Sequence, residues 1–123
     1  MTLTVMDGRY AVCRLAAAAP APDWVPGGGF VSITRTAEEL SVVCPQGAVP
    51  EGVPQEKDFR ILKVEGPLDF SLTGVLAGLS GALAAAKISL FAVSTFDTDY
   101  ILVRDADLAR ALEALTAAGH VVR

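Results

Sequence analysis

The order of the apolar patterns in the second half of the chain is compatible with few folds. From residue 60 onwards, runs with the two-residue period of a strand alternate with runs that have the spacing of an amphipathic helix. The predicted elements, in the order strand, helix, strand, strand, helix, strand, cover residues 60–65, 72–86, 88–95, 99–103, 106–118 and 121–122. This order predicts a split βαβ unit of the ferredoxin-like fold, which is an α+β fold with an antiparallel sheet and its helices on one face.

The residues between these elements support the predicted boundaries. Gly66-Pro67 ends the first strand, and Ser71 is predicted as the N-cap of the first helix. Asp105 is predicted to cap the second helix, which Gly119 ends from the C′ position. The first helix contains several glycines, which weaken an isolated helix, so we expect close packing against a neighbour to hold it in place.

The first half of the chain has a shorter version of the same pattern. Residues 10–15 are predicted to form one strand, and residues 30–34 and 40–44 a pair of strands. The prolines and glycines between residues 20 and 29 leave room only for a short turn of helix, which we expect at residues 20–26.

A shift of sixty residues aligns the two strand pairs without a gap. It places FVSITRTAEELSVVC over LFAVSTFDTDYILVR, so that Thr34 meets Ser94. This match indicates an internal duplication, with two ferredoxin-like units in tandem. Three prolines and two glycines at residues 45–58 are typical of a linker. We therefore expect a degenerate N-terminal unit with its linker at residues 1–57 and a C-terminal unit at residues 58–123.

Composition limits the classes of function. The chain has 123 residues, of which 52% are hydrophobic, and its formal net charge is −4. An acidic surface repels phosphate backbones, so we expect no nucleic-acid partner. We expect no signal peptide and no membrane-spanning segment, and hence a cytoplasmic protein. Cys13 and Cys44 lie among apolar residues and are predicted to be buried thiols. With the single histidine, His120, they form no metal-binding pattern, so no metal and no cofactor are expected.

Polar side chains with binding chemistry concentrate in two segments, residues 67–74 and residues 94–99. A split βαβ sheet places these two loops on neighbouring strands. The start of the first helix has unpaired N–H groups that suit a carboxylate, and we expect the N–H groups of residues 71–74 to bind one. Asp97 or Asp99 suits an ammonium group or a basic side chain. The same residue types are also ordinary helix caps and turn residues, so this alternative stays open.

At these residues the chain resembles a known family. The run VEGPLDFSLTGVL from Val64 and the run ISLFAVSTFDTDYILV from Ile88 are similar to those of the small bacterial tandem-ACT proteins. These proteins are similar to the ACT repeats of the CASTOR arginine sensors and, more distantly, to the regulatory domains of aspartate kinases. The resemblance covers nearly the whole chain. It implies a regulatory module without catalytic activity that senses a small molecule, which in that family is an amino acid.

The resemblance also implies which residues bind the ligand. Carried over to this chain, the binding residues are Asp69, Ser71, Leu72, Thr73, Gly74, Ser94, Thr95, Phe96, Asp97, Thr98 and Asp99. The arginine sensors have four ACT units and this chain has two, so a comparable site implies a homodimer. Exposed apolar edges and the small-residue helix favour the same assembly.

Two other functions remain open. A small hydrolase needs a nucleophile and a base, for which Ser71, Ser94, Cys44 and His120 are the available side chains. A structural dimerisation scaffold without a ligand needs only exposed strand edges, such as residues 121–122. Stabilisation by an added amino acid separates the sensor from the scaffold.

Overall fold

The computed structural model describes residues 1–123, which divide into two compact units. The C-terminal unit consists of Met1–Asp7 and Arg60–Arg123, and the N-terminal unit consists of Gly8–Phe59. This division differs from the boundary expected between residues 57 and 58, because the first seven residues lie in the C-terminal unit. No helix has the length and apolar character that crossing a bilayer would require.

The structure contains eight strands and two α-helices. In chain order they are β1 (Thr2–Val5), β2 (Tyr10–Leu15), β3 (Ser32–Arg35), β4 (Leu40–Pro45), β5 (Gln55–Val64), α1 (Val75–Ala85), β6 (Phe91–Ser94), β7 (Asp99–Arg104), α2 (Leu108–Ala117) and β8 (Val121–Val122). Strand β5 is longer than predicted, because its first residues were expected to belong to the linker. A short 3₁₀ turn, Gln46–Ala48, precedes it.

The sheet of the C-terminal unit has the strand order β8-β1-β5-β7-β6. Strand β1 lies between β5 and β8, antiparallel to the first and parallel to the second, with Leu3 opposite both Val64 and Val122. The sheet is therefore mixed, whereas an antiparallel sheet was predicted. The predicted α+β class and the ferredoxin-like order of elements are confirmed from β5 to β8. Strand β1, which is only four residues long, was not predicted.

Helices α1 and α2 cover one face of this sheet. The core between the helices and the sheet consists of fully or almost fully buried aliphatic residues, which are Leu3, Leu62, Val64, Leu79, Leu83, Ile88, Ile101, Val103, Ala111 and Leu115. Burying a leucine or valine side chain contributes about 1.5–3 kcal/mol. This core therefore holds in place the ends of β5 and β7, from which the candidate loops extend.

Both helices begin later than predicted. Helix α1 starts at Val75, after Gly74 with a φ of 78°, so Ser71 is not its N-cap. Helix α2 starts at Leu108 after a 3₁₀ turn. Asp105 is not its N-cap, since Asp107 holds that position, and Oδ1 of Asp105 accepts a hydrogen bond from Arg60 Nη1 at 3.2 Å. Gly119, with a φ of 95°, follows the end of α2 as predicted.

The N-terminal unit has the strand order β3-β4-β2-β5 and no α-helix. The turn of helix expected at residues 20–26 is wrong, since the segment forms non-helical turns and bends. Proline disfavours the helical conformation of the residue before it, and three prolines fall between residues 20 and 26. Trp24 and Val25 of this segment nevertheless pack on the buried side of the sheet, where a helix would otherwise lie.

The two strand pairs are related by a shift of fifty-nine residues and not sixty. Arg35 lies opposite Leu40 in one pair, and Ser94 lies opposite Asp99 in the other. A slip of one residue would turn every side chain to the other face of its strand. The uninterrupted apolar runs at the ends of β4 and β7 hide this slip, because they are buried on both faces and align equally well in either register.

Candidate functional site

The loop before α1 and the turn between β6 and β7 meet in the C-terminal unit. The N–H of Leu68 donates a hydrogen bond to the carbonyl of Asp97 at 2.7 Å. The hydroxyl of Thr98, which is buried, donates to the carbonyl of Val64 at 2.5 Å. Gly66 permits this approach, because a Cβ there would lie 2.9 Å from the nitrogen of Leu68 and 3.2 Å from the carbonyl oxygen of Asp97. The two predicted segments are therefore joined through their backbones.

An open cleft of about 230 Å³ lies between the two segments. It is lined by Leu68, Asp69, Phe70, Leu72, Val75, Ser94, Thr95, Phe96, Asp97, Thr98 and Asp99. Eight of the eleven residues predicted from the sequence are in this lining. Ser71, Thr73 and Gly74 are not, while Leu68, Phe70 and Val75 are additional. The apolar character of the three additional residues could have indicated them from the sequence, since binding clefts are largely apolar with a few polar groups.

Asp69 organises the loop before α1. Its Oδ1 accepts hydrogen bonds from the N–H of Ser71 at 2.8 Å and from the hydroxyl of Ser71 at 2.7 Å. These bonds lower the pKa of Asp69 below its ordinary value, so the carboxylate is charged at neutral pH. The N–H of Leu72 donates to the carbonyl of Asp69 at 3.0 Å. Two of the four N–H groups expected to receive a ligand carboxylate are thus bonded within the loop.

The turn at residues 95–98 is held by its own threonines. The N–H of Thr95 donates to the carbonyl of Thr98 at 2.8 Å, and the hydroxyl of Thr95 donates to the same carbonyl at 3.0 Å. Beside the turn, the hydroxyl of Ser94 donates to Oδ1 of Asp99 at 2.6 Å. The carboxylate of Asp97 makes no hydrogen bond or ion pair within the chain. Of the carboxylates in the cleft, that of Asp97 is therefore the one left without a protein donor.

The cleft combines negative charge with an aromatic wall. Asp69, Asp97 and Asp99 line it, and no lysine, arginine or histidine does. The rings of Phe70 and Phe96, one from each segment, lie with their centroids 5.0 Å apart at an angle of 41°. Both rings are largely exposed, at 78% and 80%. This arrangement favours a ligand that presents a cationic group to the carboxylates and an apolar surface to the rings.

The side chains considered for a hydrolase are not assembled into a catalytic group. Ser71 and Ser94 each donate their hydroxyl to an aspartate. Burial raises the pKa of the Cys44 thiol, which lies in the core of the N-terminal unit. Burial and the positive amino-terminal group lower the pKa of His120, whose Nδ1 lies 3.2 Å from that group. Neither serine therefore has a histidine as its hydrogen-bonded base.

Comparison with protein families identifies the C-terminal unit. The family model of the ACT domain matches residues 55–117, which is half of the chain. The chain belongs to the ACT domain family. A second family model, of an N-terminal domain, matches residues 8–52. The resemblance to ACT proteins stated from the sequence is thus confirmed.

Among curated proteins, the cytosolic arginine sensor for mTORC1 subunit 1 of Homo sapiens is 38% identical over 95 residues. The same protein of Bos taurus matches to the same extent. The alignment covers 71% of this ACT chain, which spans about a quarter (26%) of the length of these relatives.

Solved structures show the same fold. A protein of Agobacterium tumefaciens is 40% identical, with a TM-score of 0.94 over 99% of this chain and 91% of that chain. The aspartokinase alpha and beta subunits match with a TM-score of 0.66 over 96% of this chain and 97% of that chain, at 13% identity. The regulatory subunit of aspartate kinase from Thermus thermophilus has a TM-score of 0.61 at 12% identity, over 92% of this chain and 93% of that chain. At these low identities, the aspartate kinase matches bear on the fold alone.

Proposed function

We propose that this ACT chain is a non-catalytic regulatory module of the cytoplasm that binds a free amino acid in the cleft between the loop before α1 and the turn of residues 95–98. The observation that carries the proposal is the charge of the cleft, which has three aspartates and no basic residue in its lining. A cationic group is the natural partner of such a site, and each charge-assisted hydrogen bond contributes about 1.5–3 kcal/mol.

The orientation of the ligand follows from the polar groups of the cleft that still have hydrogen-bonding capacity. Asp97 has no donor within the chain, so it is the first partner for an ammonium or guanidinium group. Asp99 shares its Oδ1 with Ser94 and has a second oxygen to offer. Val75, the first residue of α1, lines the cleft, and helix N-termini favour a carboxylate. The ligand carboxylate therefore lies at the start of α1, beyond the N–H groups of Ser71 and Leu72.

The curated relatives support the choice of ligand class. At 38% identity, the arginine sensor is close enough for a basic amino acid to be the first ligand to test. A cleft of about 230 Å³ is below the range of about 300–1,000 Å³ typical of drug-sized ligands, and so suits a small metabolite.

We also propose that the chain acts as a homodimer. Phe70, Leu72 and Phe96 remain exposed around the open cleft, and large apolar side chains of this kind mark an interface. A second copy that covered them would close the cleft from solvent.

A scaffold that dimerises without a ligand is the alternative function. It is favoured by β6, an edge strand whose Phe91 and Ala92 are exposed. This function predicts a stable dimer that no amino acid stabilises further.

The test is a thermal-shift screen of the full chain against the twenty amino acids, followed by titration calorimetry. We expect a basic amino acid to stabilise the protein, and Asp97→Asn or Asp99→Asn to weaken its affinity about tenfold or more, because one lost charge-assisted bond is worth about 1.4 kcal/mol or more. The matched control is Glu38→Gln. Glu38 is the counterpart of Asp97 in the other strand pair, and its substitution should leave the affinity unchanged.

Two results would count against the proposal. The absence of stabilisation by every amino acid would favour the scaffold. Equal affinity in wild type and both aspartate variants would remove these carboxylates from the site.

A further inference from the structure

A second cleft lies on the other face of the same sheet. It has a volume of about 330 Å³ and is lined by residues of β5, β7 and the connections between them, including Lys63, Gly66, Pro67, Asp97 and Tyr100. Neither the loop at residues 68–74 nor helix α1 contributes to this lining. The cleft is therefore separate from the one described above, although the turn at residues 95–98 borders both.

The alternation of side chains along the strands explains this position. Leu62 and Val64 are fully buried beneath the helices, so Lys63 between them points to the helix-free face. Ile101 is also buried beneath the helices, so Tyr100 before it points the same way as Lys63. Lys63 and Tyr100 are both half-buried, and both line the second cleft.

Lys63 and Asp97 face this cleft without contacting each other. No ion pair joins them, and neither the ammonium of Lys63 nor the carboxylate of Asp97 has any partner within the chain. Two unpaired charges of opposite sign at the edge of one cleft match a ligand with the opposite pair of charges. In the first cleft, by contrast, all the charged residues are acidic.

We propose that this second cleft is a binding site for a zwitterion, an α-amino acid or a similar small molecule, with Lys63 Nζ bonded to its carboxylate and Asp97 to its ammonium group. The proposal goes beyond the function proposed above, because it assigns a different site on a different face of the sheet. The two sites share Asp97, so a ligand that bonds to this carboxylate in one cleft weakens binding in the other.

The experiment follows backbone amide resonances of the full chain during titration with L-arginine and L-leucine, and with their decarboxylated analogues, agmatine and isopentylamine. The amides of Phe70, Leu72 and Val75 report on the first cleft. Those of Lys63, Gly66 and Tyr100 report on the second. At millimolar concentrations, at least one of the amino acids is expected to shift the second set, and its decarboxylated analogue to do so about tenfold more weakly or not at all, because the carboxylate that bonds to Lys63 is missing.

Three variants make the test specific. Lys63→Met keeps the aliphatic stem and removes the charge, and should weaken binding at the second cleft about tenfold. Lys63→Arg keeps the charge and should retain binding within about threefold. Lys87→Met makes the same change at a lysine that does not line either cleft, and should leave the titration unchanged.

The outcomes separate this inference from the proposed function. It is overturned if neither amino acid shifts the second set, if the decarboxylated analogues shift that set as strongly, or if Lys63→Met retains full affinity there. A silent first set with a responding second set would overturn the proposed function and leave this inference standing.

Discussion

The two strand pairs have the same turn but different surroundings. In the turn at residues 36–39, the N–H of Thr36 donates to the carbonyl of Glu39 at 2.9 Å, as the N–H of Thr95 donates to that of Thr98 at 2.8 Å. The two turns differ in the group that donates to the carbonyl of their third residue. The carbonyl of Glu38 accepts a hydrogen bond from the Arg14 guanidinium at 3.1 Å, whereas the corresponding carbonyl, of Asp97, accepts one from a backbone N–H of the loop before α1.

This difference shows that the turn alone does not make a site. In the N-terminal unit, a side chain satisfies the turn carbonyl and no helix follows. In the C-terminal unit, a backbone segment does so, and it brings Asp69 and the start of α1 to the turn. The candidate site therefore depends on the meeting of two segments.

The cores of the two units should respond differently to alkaline pH. Burial, and then the neighbouring Cys44 thiol, raises the pKa of Cys13 from 9.0 to about 11, and the C-terminal core contains no ionisable side chain. Between these pH values the native state binds more protons than the unfolded state, so the unfolding free energy falls as pH rises. A pKa difference of two units corresponds to a loss of about 3 kcal/mol of unfolding free energy.

Urea unfolding of the wild type from below pH 9.0 to about pH 11 measures this loss. In Cys13→Ala, the decrease over the same window should be clearly smaller, although the variant starts from a lower stability. Identical pH slopes in the two proteins would show that ionisation of the Cys13 thiol does not destabilise the N-terminal core.

Gly66→Ala should separate the two segments of the candidate site. The added Cβ would lie within 3.2 Å of two backbone atoms, which cannot move aside as a flexible side chain can. We expect a loss of about 2–3 kcal/mol of unfolding free energy. Gly28→Ala is the matched control, because a Cβ at Gly28 meets no atom within 4 Å. Urea unfolding that showed equal stability for the two variants would contradict the close approach at Gly66.

Thr98→Val should destabilise the turn of the C-terminal unit through one hydrogen bond. The substitution keeps the shape of a buried side chain and leaves the carbonyl of Val64 without its donor, which costs about 1–2 kcal/mol. Thr34→Val, on an exposed position of β3, should change stability by no more than about 0.5 kcal/mol. Chemical unfolding compares the two, and an equal effect would show that the Thr98 hydroxyl contributes nothing to the turn.

Much of the candidate site could be predicted from residue types. The segments at residues 67–74 and 94–99 stand out because aspartates and hydroxyl side chains cluster at the ends of predicted strands. Which of their groups are free could not be predicted. Asp69 and Asp97 are the same residue type in similar segments, yet the N–H and hydroxyl of Ser71 bond to one carboxylate, while no group bonds to the other. That distinction depends on the path of the backbone over a few residues.

Three features could be predicted from residue types alone: the order of elements in the C-terminal unit, the end of α2 before Gly119 and the burial of both cysteines. These features follow from local periodicity, from the backbone freedom of glycine and from the transfer of apolar side chains out of water. Three others depend on contacts between distant parts of the chain: the register of the two strand pairs, the start of α1 at Val75 and the insertion of β1 between β5 and β8. Strand pairing joins residues distant in the chain, as in Leu3 opposite Val64, and a run that is apolar on both faces carries no mark of its register.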